Sequence, residues 1–177
     1  MYFMKSEYLV ISALGHDRVG LVDALAAKVT KANCNIEESK MAVLGGEFAV
    51  IMLISGPAGQ IDVFKGQVAA LSDELGLHLE LRATQAPRGG TGRPYLIESV
   101  SLDTPGILHS ITTVLRQEGI NIEDLETETC AAPWTGAPMF LMKIRISLPA
   151  DKPVANLRQR IEKVALEQDL DIKIGAV

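Results

Sequence analysis

A short loop of glycine and polar residues occurs twice in the chain, each time just before a predicted helix. The first glycine loop is residues 15–20 (GHDRVG), and the second is residues 101–106 (SLDTPG). A glycine at the start of a helix lets a small ligand approach the backbone closely. The exposed N–H groups and the positive dipole end of the helix attract a carboxylate. Both loops therefore predict a site for a small molecule that carries a carboxylate.

A second motif follows each predicted helix, where the next strand begins. It reads Asn35-Ile36-Glu37 in the first half and Asn121-Ile122-Glu123 in the second. An Asn amide offers two donors and one acceptor, which is enough to recognise an amino or carboxyl group. Both motifs therefore place a candidate ligand-reading residue at the far end of the helix from its glycine loop.

The two pairs of motifs belong to an internal repeat. Residues 9–37 align without a gap to residues 95–123, at an offset of 86, and six positions are identical. About two identities would be expected by chance at ordinary composition. The identical pairs are Ile11/Ile97, Asp17/Asp103, Gly20/Gly106, Asn35/Asn121, Ile36/Ile122 and Glu37/Glu123. The chain is therefore predicted to be one structural unit built twice.

Composition limits the classes of protein to which the chain can belong. Its 177 residues, 47% hydrophobic and 22% charged, suit one large or two small globular domains. A net charge of −5 disfavours direct binding to DNA or RNA, because an acidic chain repels phosphate. Cys34 and Cys130 have neither disulfide nor metal-ligand spacing, and no segment is typical of a secretion signal or membrane span. We expect a cytoplasmic protein with no metal and no other cofactor.

Hydrophobic periodicity predicts strand, helix, strand, strand, helix, strand in each half. In the first half the strands are 8–14, 36–44, 47–55 and 77–81, with one helix opening at Gly20 and another carrying Ile61, Phe64, Val68, Leu71 and Leu75. In the second half the strands are 95–102, 122–130, 139–148 and a short one with Ile172 and Ile174, with one helix opening at Pro105-Gly106 and another carrying Val154, Leu157, Ile161 and Val164. Gly45-Gly46 predicts a tight hairpin, whereas residues 131–138 predict a longer loop at the same place in the second half.

Local residues predict where several helices begin and end. Asp17 is expected to cap the first helix, and residues 33–35 to end it, because Asn tolerates the left-handed conformation. Pro105 is expected in the first turn of its helix. Three further positions are predicted: Gly119 as a terminator, Asp151 as a cap, and Pro153 in a first turn.

These elements predict an α+β protein of two ferredoxin-like βαββαβ domains in tandem, with antiparallel sheets and helices on one face of each. The predicted bounds are residues 5–83 and 95–177, joined by a linker at 84–94 (TQAPRGGTGRP). The other face of the first sheet also carries apolar residues, such as Ile51 and Leu53. Such a face needs a partner, either the other half or a second chain.

The Asp-x-x-Gly sequence before each helix and the Asn-Ile-Glu sequence after it resemble the ACT domain, a small-ligand regulatory module with this topology. The tandem arrangement is similar to the family of the glycine cleavage system transcriptional repressor. ACT domains commonly bind amino acids where the loop before the helix in one unit faces a strand of another. Carried over, the resemblance implies ligand-binding roles for His16, Asp17, Val19, Gly20 and Asn35, and for Asp103, Thr104, Pro105, Gly106 and Asn121. The family often has proline where the first copy has Val19, so the two sites are not expected to be equivalent.

The resemblance implies a non-enzymatic regulator that senses a small amino acid, with glycine as the leading candidate. It implies action on transcription through a protein partner such as a transcription activator, and the exposed sheet faces favour a homo-oligomer. An alternative is a detached regulatory subunit of an enzyme of amino-acid or one-carbon metabolism. RNA binding is a third possibility, but the central strands offer only Phe48 and Phe140 for base stacking. No catalytic residue is predicted, because the sequence has no nucleophile elbow, phosphate loop or paired catalytic carboxylates.

Structural roles remain open for the same residues. Asp17 and its counterpart can cap helices, the two loop glycines can permit tight packing of helix against strand, and the two asparagines can be ordinary turn residues.

Overall fold

The chain divides into two compact units, Met1–Arg88 (unit 1) and Gly89–Val177 (unit 2). The computed structural model describes residues 6–86 and 92–177. On either side of the predicted linker, Thr84 is the last residue of one strand and Arg93 is the first residue of the next. Residues 87–91 of that linker, and the bound at residue 5, lie outside the described residues. The domain bounds 5–83 and 95–177 stay a prediction.

Each unit has the βαββαβ order that the sequence predicts. Unit 1 consists of β1 (Ser6–His16), α1 (Leu21–Lys31), β2 (Asn35–Leu44), β3 (Glu47–Pro57), α2 (Ala58–Leu75) and β4 (His78–Thr84). Unit 2 consists of β5 (Arg93–Leu102), α3 (Ile107–Gln117), β6 (Asn121–Ala131), β7 (Pro138–Leu148), α4 (Val154–Gln168) and β8 (Asp171–Ala176). The strand orders are β2-β3-β1-β4 and β6-β7-β5-β8, and all pairs are antiparallel. The ferredoxin-like fold is confirmed in both units.

The core of each unit lies between one face of its sheet and its two helices. Alternate residues of β1, Leu9, Ile11 and Ala13, are buried against the apolar stripes of α1 and α2. Ile97 of β5 and Ile144 of β7 take the same role in unit 2. Each buried aliphatic side chain contributes about 1.5–3 kcal/mol, so burial of these alternating residues is what holds the helices on this face.

Left-handed residues end the helices and turns where the sequence predicts them. Asn33 (φ 53°) follows α1, and Gly119 (φ 63°) occupies the equivalent position after α3. Gly45 (φ 61°) and Gly46 (φ 87°) form the tight turn between β2 and β3. Two positive φ angles in a two-residue turn match the right-handed twist of the strands, which is why glycine is favoured there.

The predicted helix caps are wrong. Glycine, not Asp17, precedes the first residue of α1, and no side chain caps any of the helices α1 to α4. Pro105 lies before the cap residue of α3 rather than in its first turn. Pro153 itself is the cap residue of α4, so Asp151 lies too far upstream to cap it. The cap residues Gly20 and Gly106 carry no side-chain oxygen, so they cannot accept from the first N–H groups as Ser, Asp or Asn does at this position.

The face of each sheet that points away from its helices is called here its open face. The open face of unit 1 includes Ile51, which is 52% exposed, and the half-buried Leu53, as the sequence predicts. Apolar side chains at the centre of a sheet face indicate a surface that another element covers. Across residues 6–86 and 92–177, the helices are too short or too polar to cross a membrane.

Candidate functional site

The two glycine loops have nearly the same backbone conformation. Gly20 has φ 94° and ψ −1°, and Gly106 has φ 99° and ψ −7°. A Cβ atom added at either position would meet no atom within 4 Å. Tight packing of helix against strand is therefore not the reason for glycine here; the left-handed backbone is. The empty space beside each Cα leaves the start of the helix open to a ligand.

Equivalent backbone hydrogen bonds fix both loops. The Asp17 N–H donates to the Gly46 carbonyl at 2.9 Å, and the Asp103 N–H donates to the Pro138 carbonyl at 2.9 Å. These bonds tie each loop to the neighbouring hairpin. The first bond of α1 runs from the Ala24 N–H to the Gly20 carbonyl, so the three N–H groups before it lack an acceptor within the helix. Each loop thus ends in a fixed cluster of backbone donors.

The side chains of the first loop point in different directions. His16 Nδ1 lies 3.4 Å from Glu47 Oε1, and both side chains are exposed. Asp17 is exposed, and Val19 is fully exposed. Arg18 turns away from the start of α1 and donates to the Leu75 carbonyl at 2.8 Å. It thereby stabilises the negative end of α2, a contact that the sequence reasoning missed because the partner is 57 positions away.

The second loop has no charged residue at the position of Arg18. Thr104 and Pro105 are exposed, as is Asp103. Beneath the loop, the Ser110 hydroxyl donates to the Gly106 carbonyl at 3.0 Å and accepts from Gln168 Nε2 at 2.6 Å. Sequence reasoning also missed these two residues, because their equivalents in unit 1 are apolar. The loops therefore share a backbone but differ in the side chains around it.

The asparagines after the helices behave differently in the two units. Asn35 donates to Glu37 Oε1 at 3.1 Å, and the Ser55 hydroxyl donates to the same oxygen at 2.5 Å. The Ser55 bond, followed by the Asn35 bond, lowers the pKa of the Glu37 carboxyl. In unit 2, Asn121 faces Ser147 across the same ladder position, yet the structure gives Asn121 no hydrogen bond to the Glu123 carboxylate. The Asn35 amide is thus engaged with its own unit, whereas the Asn121 amide is not.

The structure does not bring the loop and the asparagine together within a unit. Eleven residues of α1 separate Gly20 from the segment before Asn35, so the two lie at opposite ends of a helix about 16 Å long. The strand register agrees, since His16 pairs with Glu47 at one end of β3 and Asn35 pairs with Ser55 at the other. A ligand the size of an amino acid therefore cannot contact the loop and the asparagine of the same unit.

The chemical groups around these loops are backbone N–H donors and exposed polar side chains. In the described parts of the chain, no three His, Cys, Asp or Glu side chains cluster as metal ligands. What the loops offer is a set of fixed backbone donors with nearby polar side chains. Backbone donors at the start of a helix can bind a small anion.

Relatives with the same length and arrangement identify the family. Residues 7–82 match the ACT domain family. The glycine cleavage system transcriptional repressor of Escherichia coli (strain K12) is 30% identical over 178 residues, covering 100% of this chain and 94% of the relative. The chain belongs to the family of this repressor. The resemblance read from the Asp-x-x-Gly and Asn-Ile-Glu motifs is thereby confirmed.

Solved structures agree with the fold over both units. A crystal structure of a protein of unknown function from Galdieria sulphuraria is 31% identical, with a TM-score of 0.84, covering 98% of this chain and 99% of its own. A second crystal structure, of a protein provisionally named a glycine cleavage system transcriptional repressor, is 24% identical with a TM-score of 0.74. It covers 97% of this chain and 98% of its own, and it supports the tandem ferredoxin-like fold. The chain is thus a tandem ACT-domain member of a regulatory family.

Proposed function

We propose that the chain is a non-enzymatic, cytoplasmic regulator that senses a small amino acid, with glycine as the first candidate. Binding of the amino acid would change how the chain contacts a protein partner. The partner would in turn change the transcription of the genes that it controls. Membership of a family that includes a transcriptional repressor supports the regulatory role. The ACT-domain match supports a small ligand.

The observation that carries the proposal is the shared backbone of the two glycine loops. Gly20 and Gly106 adopt the same left-handed conformation, with open space beside the Cα atom in each. The N–H groups of the following helical turn would donate to the ligand carboxylate, and the helix dipole would favour its negative charge. The exposed side chains of His16 and Asp17, or of Asp103 and Thr104, would select among ligands.

The rest of the ligand would be read by a second unit. Asn35 and Asn121 lie at the far ends of their helices, so each would contact a ligand bound at a glycine loop of a second copy of the chain. An Asn amide can accept from an ammonium group and donate to a carboxylate. Asn35 is held by Glu37, whereas the Asn121 amide has no hydrogen-bond partner among residues 6–86 and 92–177, so Asn121 is the better candidate. The exposed Val19 would then contact a ligand bound at the first glycine loop, and the exposed Pro105 would contact a ligand bound at the second.

The acidic chain favours a protein partner over nucleic acid. The net charge of −5 repels phosphate, and binding of a protein requires no such basic surface. Exposed apolar residues of unit 2, such as Val100 and Leu102, supply area that a protein partner can cover.

Isothermal titration calorimetry with glycine, serine and the other proteinogenic amino acids tests the proposal. We expect saturable binding of at least one of them at or below millimolar concentration. Gly20→Ala and Gly106→Ala should weaken it, because an alanine strains the loop that presents the N–H groups. Gly59→Ala is the matched control, since Gly59 lies in α2, has open space around it and needs no left-handed backbone. Absence of heat with every amino acid would contradict ligand sensing. An equal loss of affinity in the Gly59→Ala control would contradict binding at the glycine loops.

A further inference from the structure

The open face of unit 1 has an apolar centre and charged edges, and its residues form rows across the four strands. Strand register gives three rows, each read from β2 to β4: Glu38–Leu53–Val10–Arg82, Lys40–Ile51–Ser12–Glu80, and Ala42–Ala49–Leu14–His78. The positions on β3 and β1 in these rows are apolar or serine, and every charged or His side chain is on an edge strand. A polar rim around an apolar centre is the usual pattern of a protein–protein interface.

The centre of this face is accessible. Leu14 is 54% exposed and Ile51 is 52% exposed. Between Val10, Ile51 and Leu53 the surface opens into a cavity of about 320 Å³, large enough to accept an apolar side chain. Covering such residues with another apolar surface is favourable by about 25 cal/mol for each Å² removed from water.

A second copy of the same face fits this pattern when the two-fold axis runs parallel to the strands. Such an axis places β3 of one copy over β1 of the other and keeps the rows aligned. Leu53 then lies over Val10, the large Ile51 over the small Ser12, and the large Leu14 over the small Ala49. Large side chains opposite small ones let two sheets interdigitate at the usual spacing of about 10 Å. We propose that two copies of the chain form a dimer through this face.

The charged edges favour the same axis. It places β2 of one copy over β4 of the other, so Glu38 lies over Arg82 of the second copy, and the pair occurs twice. Both side chains are exposed, and neither makes an ion pair or hydrogen bond with another described residue of its own chain. The next row again ends in charges of opposite sign, Lys40 and Glu80. A two-fold axis across the strands through that row would instead place Glu80 on Glu80, which is unfavourable.

The size of the face suits a dimer that dissociates on dilution. Four strands about 4.8 Å apart and seven residues of about 3.4 Å each give roughly 450 Å² of flat surface per copy. Two copies together bury about 1,000 Å² once side-chain relief is included, which is near the lower limit for a specific interface.

The open face of unit 2 fits this partner less well. Its central strands carry Glu98, Lys143 and Arg145, and Lys143 lies 3.9 Å from Glu98. Covering these charges with an apolar surface would remove them from water at a high cost. The apolar residues Val10, Leu14 and Ile51 are therefore matched better by the unit 1 open face of a second copy than by the open face of unit 2. The dimer goes beyond the proposed function, and it can form whether or not an amino acid binds.

Sedimentation equilibrium of the full chain tests the proposal with a matched pair of variants. We expect the wild type to reach twice the chain mass of 19.1 kDa as concentration rises. Leu14→Asp should give a monomer, because it puts a carboxylate over the apolar Ala49 of the second copy. Val100→Asp changes the equivalent position of unit 2, which is 44% exposed, and should leave the dimer intact. A circular dichroism melt of each variant checks folding.

Exchanging the charges of Glu38 and Arg82 tests the direction of the two-fold axis. This test is independent of the Leu14 variant. Glu38→Arg alone, or Arg82→Glu alone, should raise the dissociation constant at least about ten-fold through like-charge contacts. The double variant E38R/R82E restores opposite charges on this axis and should recover the wild-type constant. A wild type that stays monomeric, equal effects of Leu14→Asp and Val100→Asp, or no recovery in the double variant would each overturn the proposal.

Discussion

The two glycine loops have the same backbone conformation but different side chains around it. Gly20 and Gly106 differ by only 5° in φ, and both loops are tied to the adjacent hairpin by one backbone bond of the same length. The side chains around these backbones are not repeated. Unit 1 uses Arg18 to hold the end of α2, whereas unit 2 has Ser110 and Gln168 beneath the loop. The backbone donors are thus the shared property, and the two sites should differ in which ligand they select.

The open faces differ in the same way. Unit 1 has an apolar centre, and unit 2 has charged residues at the centre, although the strand order is identical. A repeated fold therefore does not imply a repeated surface. The contact that we propose with a second copy therefore belongs to unit 1 and has no counterpart in unit 2.

The largest expected effect tests whether the two cores are equivalent. Ile11 and Ile97 occupy the same position in the repeat, and both are fully buried. Ile11→Ala and Ile97→Ala should each lower the free energy of unfolding by about 2–5 kcal/mol through lost burial and a cavity. Urea unfolding followed by circular dichroism measures both. An effect below about 1 kcal/mol in only one variant would show that the cores are not equivalent.

A smaller effect tests the shared loop backbone. Gly20→Ala and Gly106→Ala should each destabilise the chain by about 1–2 kcal/mol, because alanine disfavours a positive φ. The two values should agree, since the two φ angles agree. The helical control Gly59→Ala should be neutral or stabilising. Urea unfolding gives the three changes in the free energy of unfolding. No change for one of the two loop glycines would show that the loops are not equivalent.

The next effect distinguishes the two loops. Arg18→Ala removes the guanidinium bond to the Leu75 carbonyl, and the loss should be about 1 kcal/mol. Thr104→Ala changes the equivalent position of unit 2, where no such bond exists, and should stay within about 0.5 kcal/mol of the wild type. Differential scanning calorimetry of the two variants measures the contrast. Equal melting temperatures would mean that Arg18 does not stabilise α2.

The smallest effect concerns pH. Because the Ser55 and Asn35 bonds lower the pKa of Glu37 in the folded chain, they stabilise it above the ordinary pKa of glutamate. This stabilisation is lost as the pH falls through the lowered pKa. Ser55→Ala should therefore destabilise the chain at neutral pH, and its difference from the wild type should shrink in acid.

Urea unfolding across the acid range measures this difference. Ser147→Ala is the matched control in unit 2, and its pH dependence should follow that of the wild type. A Ser55→Ala effect that does not vary with pH would contradict the assigned role of Glu37.

Much of the fold could be predicted because its signals are local. The left-handed turns at Gly45-Gly46 and Asn33 depend only on residues at those positions, and the apolar alternation of β1 depends only on neighbours two residues away. The cap at Asp17 was predicted wrongly because a left-handed glycine at the helix start changes the direction of the chain. That change becomes visible only in three dimensions.

The parts of the site that escaped prediction depend on distant partners. Arg18 gains its role from the end of α2, and Gln168 gains its role from Ser110, 58 positions earlier. The rows of the open face depend on strand register, which periodicity alone does not fix. The predicted loops 15–20 and 101–106 begin two residues too early, because β1 runs to His16 and β5 to Leu102. The ligand-binding role of the loops stays a prediction.

A two-dimensional ¹H–¹⁵N NMR titration of the full chain with glycine, serine and the other proteinogenic amino acids tests ligand sensing most directly. We predict saturable shifts, at millimolar ligand or below, in the backbone amides that follow Gly20 or Gly106. Amides of Gly59 and its neighbours in α2 should not move. An unchanged spectrum with every amino acid, or shifts that avoid both glycine loops, would contradict the account.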